Sequence, residues 1–286
     1  MRLLPASLLL LVVAGVLVGC TSSDASTSAS AEPTASASPE PTATVTGADP
    51  LDLIGTWRIS EADGETPGTV VRIGLGGLEI WRSCGDVVGS WVADHTQMRA
   101  VVSGYSQTCD PLPPLTWIDD TASYELTAES ATLRSGDGGV LAVLIADDAA
   151  ESPDRVTLGH FSTEIDDRAR DHFAGIVSWP AGLEPAEPGE LLGEWVPQGD
   201  FAADPHVVFS EAGHWSGTDG CNGGGGRWIV SAGGSFDSTS GASTLVGCDG
   251  APVPSWVMTA RGAGMDGDEL VLLDISGQEL GRLIRT

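Results

Sequence analysis

The sequence predicts an all-β protein with two small antiparallel, barrel-like domains in tandem after a disordered tether. Its 38 Gly and 17 Pro among 286 residues interrupt almost every stretch long enough for a helix. Apolar residues alternate at period two between turn residues, which is the pattern of short strands. One set of motifs also occurs twice, which indicates two copies of one module. Barrel closure would remove the exposed edges of such sheets.

The charge of the chain excludes several classes of function. It has 13 Lys+Arg, all of them Arg, against 40 Asp+Glu, and its formal net charge is -27. Without Lys there is no Schiff-base chemistry and no phosphate-binding loop of the GxxxxGK type. The acidic surface excludes nucleic acid as a partner and favours a neutral or cationic ligand over an anionic one.

The N-terminus resembles a bacterial lipoprotein signal. Met1 and Arg2 precede an apolar run that closes with Leu17-Val18-Gly19-Cys20, which is similar to a lipobox. The resemblance implies a signal peptide over residues 1–19, cleavage after Gly19 and lipids on Cys20, so the membrane is a partner through that anchor. The expected location is the extracytoplasmic face of the cell membrane. A buried Cys that ends an uncleaved helix is the alternative.

A low-complexity segment follows the signal. Residues 20–49 are almost entirely Ser, Thr, Ala, Pro, Asp and Glu, and such a composition has too few large apolar side chains to fold. We expect a tether that holds the folded part away from the bilayer.

The internal repeat predicts the domain boundaries. Leu53–Trp57 recurs as Leu191–Trp195, and each of four Cys keeps its spacing to a following Trp in the two copies. The sequence therefore predicts a first domain over residues 50–148, a connector over 149–188 and a second domain over 189–286. The repeated Trp residues are Trp57, Trp81, Trp91 and Trp117, matched by Trp195, Trp215, Trp228 and Trp256. They are predicted to pack in the two cores, and an aromatic binding face is the alternative.

Strands and turns are placed by the alternating pattern. Gly136–Gly139 and Ile275–Gln278 are predicted turns of the last hairpin in each copy. The clearest predicted strands are Thr69–Ile73, Gly77–Trp81, Ala131–Arg134, His206–Phe209 and Glu269–Leu273.

The second copy resembles a META domain, the module of HslJ-type heat-shock lipoproteins. The resemblance is carried by Leu191–Trp195, Ser216–Asn222 and Thr244–Cys248. The first copy follows through the repeat, although Ser83-Cys84-Gly85 replaces the Gly-Cys-Asn of the second. The resemblance implies a compact β fold in envelope proteins linked to stress tolerance, and it supplies no catalytic residues. Gly223, Gly224, Gly225 and Gly226 depart from the family pattern and are expected to form a loop.

The four remaining Cys predict one disulfide in each copy. Matched spacing favours Cys84 with Cys109 and Cys221 with Cys248 in an exported chain. Each bond would contribute roughly 3.5 kcal/mol in the loop-entropy model. Pairing across the copies, a metal site and a reactive dithiol are the alternatives, and the last two lack CxxC spacing.

The other polar residues predict neither a metal site nor a cofactor. None of the five His lies where the other copy has one, and exposed or locally bonded His is the expectation. His160 and His172 flank several acids, which could be a metal cluster, but an acidic helical turn starting near Thr163 is the favoured interpretation. No Gly-x-Ser-x-Gly motif or HExxH motif is present.

Any ligand is expected to contact the features that differ between the copies. The connector is too apolar for a simple linker and carries Phe161, Phe173 and Trp179, so it is predicted to pack on one barrel or between both, beside a binding cleft. The glycine run 223–226 is the other candidate, because its backbone could approach a partner closely.

Three functions from different classes fit these observations. The leading one is a non-catalytic, membrane-anchored envelope lipoprotein that binds an envelope protein or a cell-wall ligand, or supports stress tolerance. A lipocalin-like carrier of a small apolar ligand would need an open barrel interior. An envelope hydrolase would need a nucleophile, a base and an orienting group, and no motif for these is recognisable.

Overall fold

The computed structural model describes residues 47–66, 68–107, 115–151, 161–241, 243–244, 246–247 and 249–286, and these all belong to one compact unit. The predicted signal peptide, Cys20, Cys109, His160 and Cys248 lie outside the described residues. Across the described ranges, no helix has the length and apolarity needed to cross a bilayer.

The first half of the unit is one curled antiparallel sheet. Its strand order is β5-β4-β3-β2-β1-β8-β7-β6, so the first strand is central and pairs with the last. A bridge between Gln97 and Ser123 joins the two edges of this sheet. The strands are β1 (Gly55–Ala62), β2 (Val70–Gly74), β3 (Gly77–Arg82), β4 (Gly85–Ala93), β5 (Met98–Gln107), β6 (Ser123–Leu126), β7 (Ser130–Arg134) and β8 (Val140–Ala146). Helix α1 (Thr116–Asp119) lies between β5 and β6, and a 3-10 helix (Pro50–Leu53) precedes β1.

The second half repeats this plan and adds one strand at an edge. Its order is β14-β13-β12-β11-β10-β17-β16-β15-β9, and a bridge between Ser235 and Gly262 joins β14 to β15. The strands are β9 (Glu184–Pro185), β10 (Gly193–Pro197), β11 (His206–Phe209), β12 (His214–Thr218), β13 (Gly223–Val230), β14 (Phe236–Ser238), β15 (Gly262–Asp266), β16 (Glu269–Leu273) and β17 (Glu279–Arg285). The helices are α2 (Asp167–Ala174), α3 (Pro188–Leu191) and α4 (Val253–Thr259).

These two half-barrels confirm the all-β fold class predicted from the sequence. The hairpins β7–β8 and β16–β17 are antiparallel and turn where the sequence predicts. Helices α1 and α4 hold the same place in the two halves, between the fifth and sixth strands of the repeated plan.

The repeated Trp residues build the two cores, as predicted. Trp117 and Trp195 are at most 1 % exposed. Seven of the eight repeated Trp residues are buried, and Trp256 is half-buried. Equivalent bonds fix the start of each sheet, because the indole Nε1 of Trp57 donates to Leu53 O at 2.9 Å and that of Trp195 to Leu191 O at 2.7 Å. A buried indole N–H needs such an acceptor.

A buried ion pair adds a polar centre to the first half. Glu65 and Arg82 lie 2.5 Å apart with side chains only 2 % and 3 % exposed. Glu65 also accepts from Trp117 Nε1 at 2.9 Å and from Thr69 Oγ1 at 3.3 Å. The pair is therefore embedded in hydrogen bonds that tie α1 to the sheet.

The prediction of a loop at Gly223–Gly226 was wrong. These four residues begin β13 and pair in register with Trp215–Thr218 of β12. A side chain on Gly226 would overlap the carbonyl oxygen of Thr239, and one on Gly224 would press on Pro254 and the Trp215 ring. Two of the glycines are thus explained by close packing inside the second half.

The connector is folded onto both halves. Strand β9 pairs with β15, so the connector supplies an edge strand of the second sheet. Helix α2 begins after Asp166, whose side chain accepts from Ala169 N at 2.9 Å. The helix therefore starts later than the position near Thr163 that capping-box spacing suggested, because Asp166 itself is the N-cap.

Candidate functional site

A cleft of about 420 Å³ lies between the two sheets and the C-terminal end of α2. The first half contributes Asp94 and His95, which follow β4, and the connector contributes His172 and Phe173. The second half contributes Ile229, Ser235, Phe236, Asp237 and Arg261. The lining mixes polar and charged side chains with apolar ones, and a concave site that several elements share is a usual place for a small molecule to bind.

A charge cluster on Asp237 forms one wall of the cleft. His172 Nε2 lies 2.8 Å from Asp237 Oδ2, and Arg261 Nη1 lies 3.2 Å from Asp237 Oδ1. The backbone N–H of Ser238 also donates to Asp237 Oδ1 at 2.9 Å. Arg261 balances the charge of the carboxylate, and the remaining nitrogen atoms of His172 and Arg261 can serve a ligand.

The opposite wall is held by a local turn. Asp94 Oδ1 accepts from the backbone N–H groups of Thr96 and Gln97 at 2.8 Å and 2.6 Å, and from Thr96 Oγ1 at 3.1 Å. His95 Nδ1 lies 3.0 Å from Ala48 O. The Asp94 turn is therefore preformed, and its aspartate is stabilised by backbone donors rather than by a basic side chain.

The three aromatic residues predicted in the connector do not form one cluster. Phe173 lines the cleft and packs against Trp91 of the first core, with ring centroids 5.8 Å apart. The Phe161 ring lies over Gly77, and its carbonyl accepts from Arg72 Nε at 3.0 Å. Trp179 instead packs on the second half beside Gly234 and Gly262 and donates to Leu183 O at 2.6 Å.

The three aromatic residues of the connector therefore have different roles. Phe161 packs the connector against the first half, and Trp179 packs it against the second half. Phe173 is the one predicted aromatic residue that the structure brings to the cleft. Gly223–Gly226 do not belong to the cleft lining.

No protein-family model, curated protein or solved structure matches the chain. Functional inference therefore depends on the geometry of the cleft and of the interface around it.

The structure describes one cysteine of each predicted disulfide pair. Cys84 and Cys221 are each disulfide-bonded and occupy equivalent turns, between β3 and β4 and between β12 and β13. Their predicted partners Cys109 and Cys248 fall outside the described residues, so the pairing within each copy stays a prediction.

A second polar cluster joins the two halves next to the cleft. Arg227 of β13 is only 5 % exposed, and its Nη1 donates both to Asp119 O in the first half and to His214 Nε2, the latter at 3.0 Å. Its Nη2 donates to Ala212 O at 3.2 Å. Because a guanidinium group only donates, His214 Nε2 must carry a lone pair and His214 is neutral in this contact.

Burial and the two nearby cations lower the pKa of His214. Desolvation is the largest cause, and Arg227 and Arg99 follow, whereas Asp119 and Asp120 act in the opposite direction. Burial likewise raises the pKa of Asp119, against the influence of Arg227. The His214 ring keeps an exposed face despite this desolvation, so protons can reach it without unfolding.

His172 and His214 are the residues that sequence reasoning missed. Both were expected to be exposed or bonded locally. His172 instead contacts Asp237, which is distant in sequence, and His214 contacts Arg227 on the adjacent strand. No spacing rule connects His172 to Asp237. The signal that could have found His214 is its alignment opposite Arg227 in the β12–β13 hairpin, which becomes visible only when the register is known.

Proposed function

We propose that the protein is a non-catalytic, lipid-anchored envelope protein that binds a small neutral or cationic envelope ligand in the cleft between its two half-barrels. The observation that carries this proposal is the cleft itself, because residues from both sheets and from the connector converge on it. The lipobox-like Leu17–Cys20 supports the anchor and the location on the extracytoplasmic face.

The charges of the cleft support the ligand class. Asp237 is balanced by His172 and Arg261, and Asp94 faces the cleft without a basic partner among the described residues. The C-terminal end of α2 adds the negative pole of a helix at Ala174. These groups, together with the net charge of -27, disfavour an anion in the cleft.

The packed cores argue against the lipocalin-like alternative. The first core encloses Trp57, Trp91 and Trp117, and the second encloses Trp195, Trp215 and Trp228. A carrier of an apolar ligand needs open volume where these rings lie.

A matched pair of variants tests the proposal. Ala232 lines the cleft on an exposed turn, and Ala128 occupies an exposed turn between β6 and β7 that is not part of the cleft lining. Residues 45–286, which form the compact unit, would be incubated with an envelope extract, and small molecules retained through gel filtration would be identified by mass spectrometry. Ala232→Trp should lose the retained molecule, and Ala128→Trp should keep it.

Two results would contradict the proposal. One is that both Trp variants retain the same molecules as the unmodified protein, which would place binding elsewhere. The other is that no molecule is retained by any of the three proteins while the fold is intact by circular dichroism.

The His172–Asp237 pair favours hydrolysis as a second candidate function. An aspartate that accepts from one nitrogen of an imidazole orients the other nitrogen as a general base, and Ser235 and Arg261 line the same cleft. Turnover of ester or glycoside substrates that is abolished by His172→Gln but retained by His206→Gln would establish this alternative and overturn the non-catalytic function.

A further inference from the structure

A second pocket, which adjoins the cleft at Ile229, lies where the connector meets β13. It has a volume of about 340 Å³, and Arg99 of β5 lines it together with Pro188, Leu192, Trp228 and Glu211. Gly189 of α3 lies in the same lining, and a Cβ atom added there would meet no atom within 4 Å. The pocket therefore has open space beside a charged side chain.

Arg99 lacks a counter-ion in the part of the chain that the structure describes. Its only hydrogen bond there runs from Nη1 to Thr121 O at 3.2 Å, and no carboxylate oxygen lies within ion-pair distance. Its Nε is buried without a hydrogen-bond partner. Burial lowers the pKa of Arg99, because a poorly solvated guanidinium is less stable as a cation. A half-buried cation without an ion-pair partner at contact distance favours an anion at its accessible edge.

A second arginine adds positive charge close to Arg99. The charge of Arg99 lowers the pKa of Arg227, and the Nε of Arg227 is also buried without a hydrogen-bond partner among the described residues. The carboxylates of Asp94, Asp119 and Asp120 in the first half oppose this positive charge. Glu211 belongs to an exposed turn, where water screens its charge.

The rest of the pocket is apolar. Pro188 and Leu192 approach from the connector side, and Trp228, Ile229 and Val230 approach from β13. A ligand that satisfies both surfaces has an anionic head and an apolar body.

We propose that this pocket binds a small carboxylate with an apolar body, its carboxylate group on the free edge of Arg99 and its apolar part against Leu192 and Trp228. The site adjoins the cleft at Ile229, but the proposal does not depend on the ligand proposed for the cleft. Although the surface as a whole is acidic, the half-buried Arg99 would meet the carboxylate directly, with the buried Arg227 nearby.

Isothermal titration calorimetry and NMR spectra of the tryptophan indole N–H groups, both on residues 45–286, test the proposal. The probes are hexanoate and N-acetyl-leucine, which separate a free fatty acid from a peptide-like carboxylate, with hexanol and hexylamine as uncharged and cationic counterparts. Trp228 reports binding, because its indole N–H donates to His214 O at 3.1 Å from within the pocket lining. At least one carboxylate should shift the Trp228 signal and bind at least about tenfold more tightly than hexanol.

Two variants and one control locate the site. Arg99→Gln should weaken carboxylate binding at least about tenfold. Gly189→Leu should block it by filling the open space, and this variant leaves Arg99 untouched if Arg99→Gln does not fold. Arg58→Gln removes a partly exposed arginine that pairs with Asp147 far from the pocket, and it should bind like the unmodified protein.

Several results would overturn the proposal. If hexanol bound as tightly as the carboxylates, the pocket would be apolar and Arg99 would have no role in it. If hexylamine bound more tightly than the carboxylates, Glu211 would be the charged group that holds the ligand. Unchanged affinity in Gly189→Leu, or no binding of either carboxylate, would also exclude it.

Discussion

At the scale of single residues, the four consecutive glycines at the start of β13 have different surroundings. Gly223 is exposed, and the nearest atom to a Cβ added there is 4.0 Å away. Gly226 faces the backbone of Thr239 so closely that a Cβ atom has no room. The same substitution should therefore have different effects at the two ends of the run.

We expect Gly226→Ala to lower the free energy of unfolding by about 1–3 kcal/mol, because the added methyl group must displace the backbone of residue 239. Gly223→Ala should change it by less than about 0.5 kcal/mol. Urea unfolding of the two variants measures the difference. Equal destabilisation would show that loss of glycine flexibility, and not the contact with Thr239, determines the effect.

The buried ion pair of Glu65 gives a second prediction at this scale. Glu65→Ala should destabilise the protein by about 3–5 kcal/mol, because it leaves the buried Arg82 and the Trp117 indole without this acceptor. Glu125→Ala, which removes the exposed partner of Arg134, should cost at most about 1 kcal/mol. Thermal unfolding of both variants tests this contrast, and a smaller effect for Glu65→Ala than for Glu125→Ala would contradict it.

At the scale of elements, apolar patterning placed several of the strands. His206–Phe209 and Glu269–Leu273 are strands with the predicted limits, and polar turns bound both of them. Alternate side chains are buried in the first strand, whereas all four apolar residues are buried in the second. The pattern failed at Gly223–Gly226, where strand formation comes from pairing with β12 and not from any preference of glycine. The sequence predicts a cleft beside the connector but not the charged pair that lines it, because His172 and Asp237 meet only after the connector has packed between the sheets.

The contact between β12, β13 and α1 should depend on pH through His214. The pKa of His214 is lowered in the folded protein from a value near 6.5, so the unfolded chain takes up the proton first as the pH falls. The stabilisation is present above that pH and is lost as the pH falls below it. Protonation also removes the lone pair that accepts from Arg227.

His214→Gln should reduce the loss of stability between about pH 7.5 and pH 5.5, because glutamine keeps an acceptor and does not titrate. The urea midpoint at the two pH values is the measurement. His206→Gln is the matched control, since His206 lies on the adjacent strand and its ring nitrogen Nδ1 contacts the nearby Asp204 carbonyl. A His214→Gln protein with the pH response of the unmodified protein would disprove this role.

The disulfides give a further prediction at this scale. Because Cys84 and Cys221 are bonded at equivalent turns, we expect Cys84–Cys109 and Cys221–Cys248 in the mature protein. Peptide mapping without reduction should recover two linked pairs, each from one half. A peptide that links the two halves would refute the pairing.

At the scale of the whole molecule, the proposed lipid anchor on Cys20 would determine where the two half-barrels act. Cys20→Ala should abolish lipidation and leave the precursor uncleaved by the lipoprotein signal peptidase, because the thiol that receives the lipid is gone. Metabolic labelling with a fatty acid and fractionation of the cells measure both effects. Normal processing and labelling of Cys20→Ala would show that the lipobox interpretation is incorrect.

The pairing of the first strand of each half with its last strand affects the order in which the protein can form. Strand β10 has β11 on one side from early in synthesis, but its other neighbour is β17, which ends at Arg285. Contacts between distant parts of a chain slow folding. During synthesis the second half therefore exposes an open edge on β10 until β17 has emerged, whereas the first half can already close when β8 has emerged. The nascent protein should thus pass through a stage in which the first half-barrel is folded and the second still lacks β17.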